Sequence, residues 1–353
     1  MQEFKEQALN LIELCVTNIR QNSDGSFVSG NNGPHGDKET EVRTTSHMLH
    51  ALCTLIEHGY EQYRVPANSA ADFLLSDKAR PMNASFWCRV NPHKDFCNGL
   101  IGQAWVVESL FKAAKVLNRN DCFNISKNVL EQHYWNEKHS AWHTLNVDGS
   151  NGKICQTFNQ QLWFASLALE LKDTSHIFKH AVDFVQNVLP RVELYDDGVI
   201  YHDSIAYIRT YGLLTTSNLV DKLKRLKKKQ KMDLQRLRSV GYHGFNLVAL
   251  KKIREILPSE TFWNSEKFKK ISDVVKRKKF KNDLLDNKFS YPYNQSGFEI
   301  AYFLKDGIED KNYQYYVKKN LDFILEEKGN LIVKESMDKI NSVARIYEIG
   351  RLL

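Results

Sequence analysis

The 353-residue sequence predicts an all-α fold, an (α/α)6 toroid of six inner and six outer helices with short β-hairpins on one rim, from three observations. Apolar residues recur with helical period along most of the chain. The helices are of two kinds that alternate, six of each. The connections alternate with them, short after one kind and long after the other. With 42% hydrophobic and 26% charged residues the composition is ordinarily globular, which excludes disorder, collagen and a coiled-coil array. Residues 1–353 therefore read as a single toroid domain, with 205–239 as a basic helical insertion on the rim.

The first helix, 2–22, sets Phe4, Ala8, Leu11, Ile12, Cys15 and Ile19 along one side and charges along the other, as an outer helix with one wet face does. Segments 61–78, 121–135, 174–189, 262–279 and 312–326 repeat this pattern. Between them lie 40–57, 98–116, 157–171, 241–256, 292–305 and 340–352, which are apolar around most of their circumference and read as buried inner helices. Their starts are separated by 58, 59, 84, 51 and 48 residues, and the insertion accounts for the one long interval. Both chain ends carry ordinary helices rather than polar capping repeats, which favours a closed ring over an open solenoid.

Inner-to-outer connections are short, as in His58-Gly59-Tyr60 and Asn118-Arg119-Asn120. Outer-to-inner connections are long and carry turn signals among β-prone residues, at 24–28, 142–149, 197–201 and 328–333. All the elaborate loops thus fall on the rim where the inner helices start, the expected mouth of a central pocket.

The net charge of +7 has one address. Residues 221–239 hold nine basic and two acidic side chains, so this stretch carries the whole excess and the rest is neutral. No nucleic-acid partner is expected. With leucines at 219, 223, 226, 234 and 237 the stretch reads as a helix with a solvated face. A sharper reading has 221–239 make weak membrane-surface contact and draw anionic or lipid-linked glycans toward the pocket. No run of eighteen apolar residues occurs and the N-terminus opens with charges, so a soluble, cytoplasmic protein is expected, peripheral at the inner membrane surface under the sharper reading. The six cysteines lack paired spacing and read as reduced thiols.

No cofactor or metal is expected. Cys88, His93, Asp95 and Cys97 are spaced too loosely for a zinc site, and neither GxxxxGK[ST] nor GxSxG appears. The Asp196-Asp197 pair sits in a hairpin turn and lacks the acidic spacing of a diphosphate-binding Mg²⁺ site.

The inner-helix starts are chemically alike: amides, hydroxyls and aromatics recur. Planar amides offer donor and acceptor together to vicinal hydroxyls, and aromatic faces stack on the C–H surface of a sugar. The expected substrate is a sugar or oligosaccharide, held by Arg43, Asn98, Gln103, Trp105, Asn159, Gln160, Trp163, His202, Asp203, Tyr242, Asn246, Tyr293, Asn294 and Glu299. For acid and base work the first choice is the carboxyl pair Asp37 and Glu41, with His47 and His243 as alternatives and Asp203 and Glu299 in reserve. For each of these a capping or ion-pairing role competes with the functional one, as in Glu41 with Arg43 or Arg345.

The segments Asn32-Gly33-Pro34, Glu39-Thr40-Glu41-Val42-Arg43-Thr44-Thr45-Ser46-His47, Cys97-Asn98-Gly99-Leu100-Ile101-Gly102-Gln103-Ala104-Trp105, Thr157-Phe158-Asn159-Gln160-Gln161-Leu162-Trp163 and Tyr242-His243-Gly244-Phe245-Asn246 together resemble the AglQ-type proteins of archaeal N-glycan and bacterial surface-polysaccharide gene clusters. The likeness covers most of the chain outside 205–239. More distantly the architecture is similar to (α/α)6 glycoside hydrolases, unsaturated-uronyl hydrolases and N-acylglucosamine 2-epimerases, although the signature dipeptides of the uronyl hydrolases are absent. The resemblance implies a role in glycan assembly or processing and assigns no catalytic residue. A glycoside hydrolase using acid/base carboxylates is the leading expectation. A sugar epimerase or isomerase using histidine bases and a non-catalytic glycan-binding protein are the alternatives.

Overall fold

A computed structural model of the chain describes residues 2–202, 229–305, 310–325 and 336–353. Outer helices are α1 (Gln2–Asn18), α3 (Arg64–Leu75), α5 (Asn120–Glu131), α7 (His176–Asn187), α10 (Glu266–Asp273) with α11 (Lys278–Leu285), and α13 (Lys311–Ile324). Inner helices are α2 (Val42–Glu57), α4 (Gly99–Val116), α6 (Phe158–Ala168), α9 (His243–Ile256), α12 (Ser296–Phe303) and α14 (Lys339–Ala344), which tightens into a 3-10 segment over Arg345–Leu352. Each inner helix packs on the next, and the Arg345–Leu352 segment returns to α2, so the ring closes. The (α/α)6 toroid is the fold.

Burial separates the two kinds. Every residue of α2 from Val42 to Ile56 is buried, polar ones included, whereas α5 buries only Cys122, Ser126, Val129 and Leu130 along one stripe. Local chemistry starts several helices: Ser175, Ser265 and Asp310 cap α7, α10 and α13 through their side chains, satisfying otherwise orphaned N–H groups. The fifth outer element departs from the single helix expected over 262–279. It breaks at Arg277, whose backbone is extended, and α11 runs on to Leu285.

The long loops are on the rim where the inner helices start. Gln21 bridges to Phe27 and Leu194 to Ile200, each across a turn whose glycine, Gly25 or Gly198, has positive φ. A three-stranded antiparallel sheet, β1 (Trp135–Asn136), β2 (Ala141–Leu145) and β3 (Asn151–Ile154), precedes α6. The hairpin expected at 328–333 lies outside the described residues. Of the insertion expected over 205–239, only the part from Lys229 on is described, as α8 (Lys229–Gly241), which runs into α9 with Tyr242 between them. The six cysteines are free and buried. Among the described residues no helix is long and apolar enough to cross a membrane.

The hole of the ring is plugged. The Arg43 guanidinium lies 4.1 Å over Trp105, His47 stacks on Tyr347 at 5.3 Å, and Trp163 stacks on Phe245 at 4.5 Å. Arg345 bonds Glu299 at 2.7 Å, and deeper still Arg351 and Lys252 both reach Glu108. Buried charges of this kind persist only where each is paired.

Candidate functional site

Above this plug, at the inner-helix starts, is a cavity of about 230 Å³. One wall comes from the loops before α2 and α4. Asn32, Gly33 and Gly36 have positive φ and enclose a 3-10 turn over Gly33–His35; a Cβ on Gly33 would lie 2.3 Å from the Tyr293 ring, so only glycine fits there. That turn presents His35 and then Asp37. Asp37 is buried, and its carboxylate accepts hydrogen bonds from Lys94 at 2.7 Å, Asn91 at 2.8 Å, Asn32 at 3.1 Å and Arg89 at 3.4 Å. Burial works to raise its pKa, but the bonds from Lys94, Asn91 and Asn32 outweigh it and hold the carboxyl below the ordinary range. Arg89 also bonds Asp95 at 2.8 Å and Asn98 at 3.0 Å. Beneath, Arg43 donates to Glu39 at 2.9 Å and to Asn32 at 2.8 Å, and Tyr293 donates to the same Asn32 oxygen at 2.8 Å. The ionic groups of this wall therefore satisfy one another.

The other wall comes from Thr157, Asn159 and Gln160 at the start of α6, from His202, from Arg238 on α8 and from Tyr242 and Phe245. The His202 ring lines the cavity and stacks on Tyr242 at 4.6 Å, and its Nδ1 is buried without a partner among the described residues. The Tyr242 hydroxyl meets Nε2 of His35 at 2.9 Å, so the two histidines flank one tyrosine. Burial, then the charges of Arg238, Lys94 and Arg43, pushes His35 down to about 4. Burial, then Arg238 and His35, pushes His202 down to about 3. Both are neutral at pH 7. Asn159 Oδ1 and Arg238 Nε are buried and have no partner among the described residues.

Of the residues expected from sequence, Asp37, Asn98, Trp105, Asn159, Gln160, His202, Tyr242, Tyr293 and Asn294 line this cavity. Glu41 does not; it is half-buried at the N-cap of α2, so Asp37 and Glu41 are not brought together there. Arg43 and His47 lie in the plug, where burial, with Arg43 and Arg345 adding, drives His47 well below its ordinary pKa. His243 faces away: Nδ1 accepts from the Ile200 amide at 3.3 Å and Nε2 donates to the Ile271 carbonyl at 3.0 Å. Gln103 is consumed as a clamp, accepting from the Phe86 amide at 2.6 Å and donating to the Phe86 and Cys97 carbonyls. Trp163 donates to the Phe245 carbonyl, and Asn246 and Glu299 lie buried beneath the cavity. Burial raises the Glu299 carboxyl against the pull of Arg345. Asp203 lies outside the described residues.

The cavity adds residues outside those expected from sequence: Asn32, His35, Arg89, Lys94, Ile101, Thr157, Arg238 and Phe245. A signal for His35 existed in its place between Gly33-Pro34 and Gly36-Asp37, a turn that must lift its side chain.

No family model matches the chain. The archaeal glycosylation protein Q of Haloferax volcanii is 32% identical over 348 residues, covering 94% of this chain and 93% of that protein. Among solved structures, D-mannose isomerase superposes with TM-score 0.68 at 12% identity over 100% of this chain and 98% of that one. Cellobiose 2-epimerase of Bacillus thermoamylovorans gives 0.65 at 11% over 99% of each chain. An inactive variant of the α-1,6-mannanase of Salegentibacter, with α-1,6-mannotriose, gives 0.59 at 11% over 99% of this chain and 98% of that one. At such identities these structures establish the ring and nothing finer.

Proposed function

We propose, since the chain belongs to the family of the archaeal glycosylation protein Q, that it serves glycan assembly as a sugar epimerase or isomerase, with His35 and His202 moving a proton at carbon. The observation that carries this reading is the pair of neutral histidines either side of Tyr242 in the central cavity. Hydrolysis of a glycosidic bond asks for two carboxyl groups, about 5–5.5 Å apart for retention or about 6.5–9.5 Å for inversion. Among the described cavity-lining residues Asp37 is the single carboxylate. It is occupied by Lys94, Asn91, Asn32 and Arg89, and its lowered pKa leaves it no proton to give at pH 7. The ring is shared with proteins named for epimerisation, isomerisation and mannan cleavage, so the fold leaves the choice to the site.

In the step proposed, one imidazole takes the proton from the carbon next to the sugar carbonyl, and the C–H electron pair becomes the enediolate. The Tyr242 hydroxyl stabilises the charge on oxygen. The imidazolium so formed gives its proton back at the neighbouring carbon for an isomer; for an epimer that proton passes to the other imidazole, which as imidazolium then delivers it to the opposite face. Atoms balance without a redox partner. The open-chain carbonyl this requires makes a reducing sugar or oligosaccharide the substrate. Lipid-linked sugars and membrane contact through 221–239 fall largely outside the described residues and form no part of this reading.

The test is turnover of reducing sugars in D2O. Solvent deuterium retained at carbon in an uncleaved product supports the reading, provided that His35→Asn and His202→Asn abolish it. Release of a sugar from a glycoside without deuterium at carbon would return the site to hydrolysis.

A further inference from the structure

We propose that Arg238 is the specificity-determining residue of this pocket, the group that receives an anionic substituent, carboxylate or phosphate, on the bound sugar. The proposal rests on the reading of the cavity as a sugar site and adds the chemical class of sugar.

The cations around the cavity differ in what they already hold. Arg89 is paired with Asp95 at 2.8 Å and Asp37 at 3.4 Å, and Lys94 with Asp37 at 2.7 Å. Arg43, in the floor, is paired with Glu39 at 2.9 Å. Arg238 lines the same cavity, is half-buried, and has no carboxylate within ion-pair distance among the described residues. Its Nε is buried and makes no hydrogen bond among the described residues. The guanidinium lies 5.6 Å over the Phe289 ring, a contact that uses none of its N–H donors. Two positions earlier on the same helix, Arg236 reaches Asp197 at 2.5 Å and Asp283 at 3.5 Å, so α8 does pair an arginine where its role is to hold the fold.

A guanidinium kept partly out of water without a counter-charge is costly, and a bound anion would remove that cost. Its five donors in a planar fork match two oxygens of a carboxylate or phosphate. Arg238 is also close enough to His35 and His202 for its charge to act on both rings. A sugar offering its reacting carbon to the histidines therefore has a substituent within reach of the guanidinium. Nothing in the amino-acid pattern singled out Arg238, because it reads as one more cation in a solvated basic run.

Binding separates this proposal from the proposed chemistry because it needs no turnover. Calorimetric titration of the full chain with glucuronate, galacturonate and mannuronate, with glucose 6-phosphate, and with glucose, galactose and mannose measures the preference for charge. The wild type is expected to bind at least one charged sugar tenfold or more tighter than its neutral counterpart. Arg238→Gln should erase that ratio while leaving neutral-sugar affinity and melting temperature in place, and Arg238→Lys should keep part of it. Uronate and phosphate arms tell which anion is read. Equal affinity for charged and neutral sugars in the wild type, or equal weakening of both in Arg238→Gln, overturns the proposal. Loss of kcat with KM unchanged, in any sugar that turns over, would overturn it as well, by moving Arg238 from recognition to the reacting atoms. A tenfold charge preference without deuterium exchange would leave Arg238 standing and the isomerase reading refuted.

Discussion

The two walls of the cavity are built from similar residue types and do different things. On the wall from the loops before α2 and α4, Asp37, Arg89, Lys94, Glu39 and Arg43 spend their charges on one another. On the wall from α6, α8, α9 and the loop at His202, Asn159, His202 and Arg238 keep polar atoms that no group among the described residues satisfies. A polar group whose bonds are already made holds a fold together, and one whose bonds are unmade costs stability unless a ligand completes it. The first wall is thus scaffold and the second is where a sugar gains its contacts. His35 crosses between them, rising from the scaffold loop to bond Tyr242 on the other side.

The largest effect expected from this contrast is at the histidines. His202→Asn and His35→Asn should each lower kcat by about 10²–10⁴-fold, the usual worth of a positioned acid or base, with melting temperature little changed. A retained kcat in either would break the assignment of chemistry to the second wall. Next comes Asp37→Asn, which should lower stability by about 1–3 kcal/mol by weakening the links to Lys94 and Arg89. Because the folded pKa of Asp37 is depressed, its contribution is present above the unfolded value near 4 and is lost as pH falls through the folded one. Denaturant midpoints of wild type and variant should therefore differ at neutral pH and converge in acid.

Paired amides sharpen the contrast further. Gln103→Leu strips partners from the buried Phe86 amide and from the Phe86 and Cys97 carbonyls, and should cost about 3 kcal/mol. Asn159→Ala, one inner helix away, removes an oxygen that bonds nothing among the described residues, so its stability should stay within about 0.5 kcal/mol of wild type while sugar affinity falls. The smallest effect is at Glu41, half-buried and outside the cavity: Glu41→Gln should leave both turnover and stability within error. A hundredfold loss there would restore the carboxylate pair.

The ring itself was legible because burial writes a period into sequence. A helix buried all round, such as α4, reads apolar on every face, and one with a wet side, such as α5, does not. The rim was legible from loop length. What each rim side chain does was not, because successive helical residues point about 100° apart. Tyr242 faces the cavity, and its neighbour His243 is turned outward to the Ile200 amide and Ile271 carbonyl. Gln103 and Gln160 look alike as opening amides of inner helices. The first ties down the loop before its helix, and the second lines the cavity while its oxygen caps Leu100 of the neighbouring helix. Such partners come from other turns of the ring, and no spacing within one segment reveals them.

Proton transfer at carbon is the central claim, and NMR of reducing hexoses, hexuronates and mannobiose turned over in D2O tests it most directly. One solvent deuterium at the epimerised or isomerised carbon, in a product whose glycosidic bonds are intact and whose formation requires both His35 and His202, is the predicted result. A cleaved glycosidic bond without carbon-bound deuterium, or deuterium uptake that survives both histidine substitutions, would contradict it.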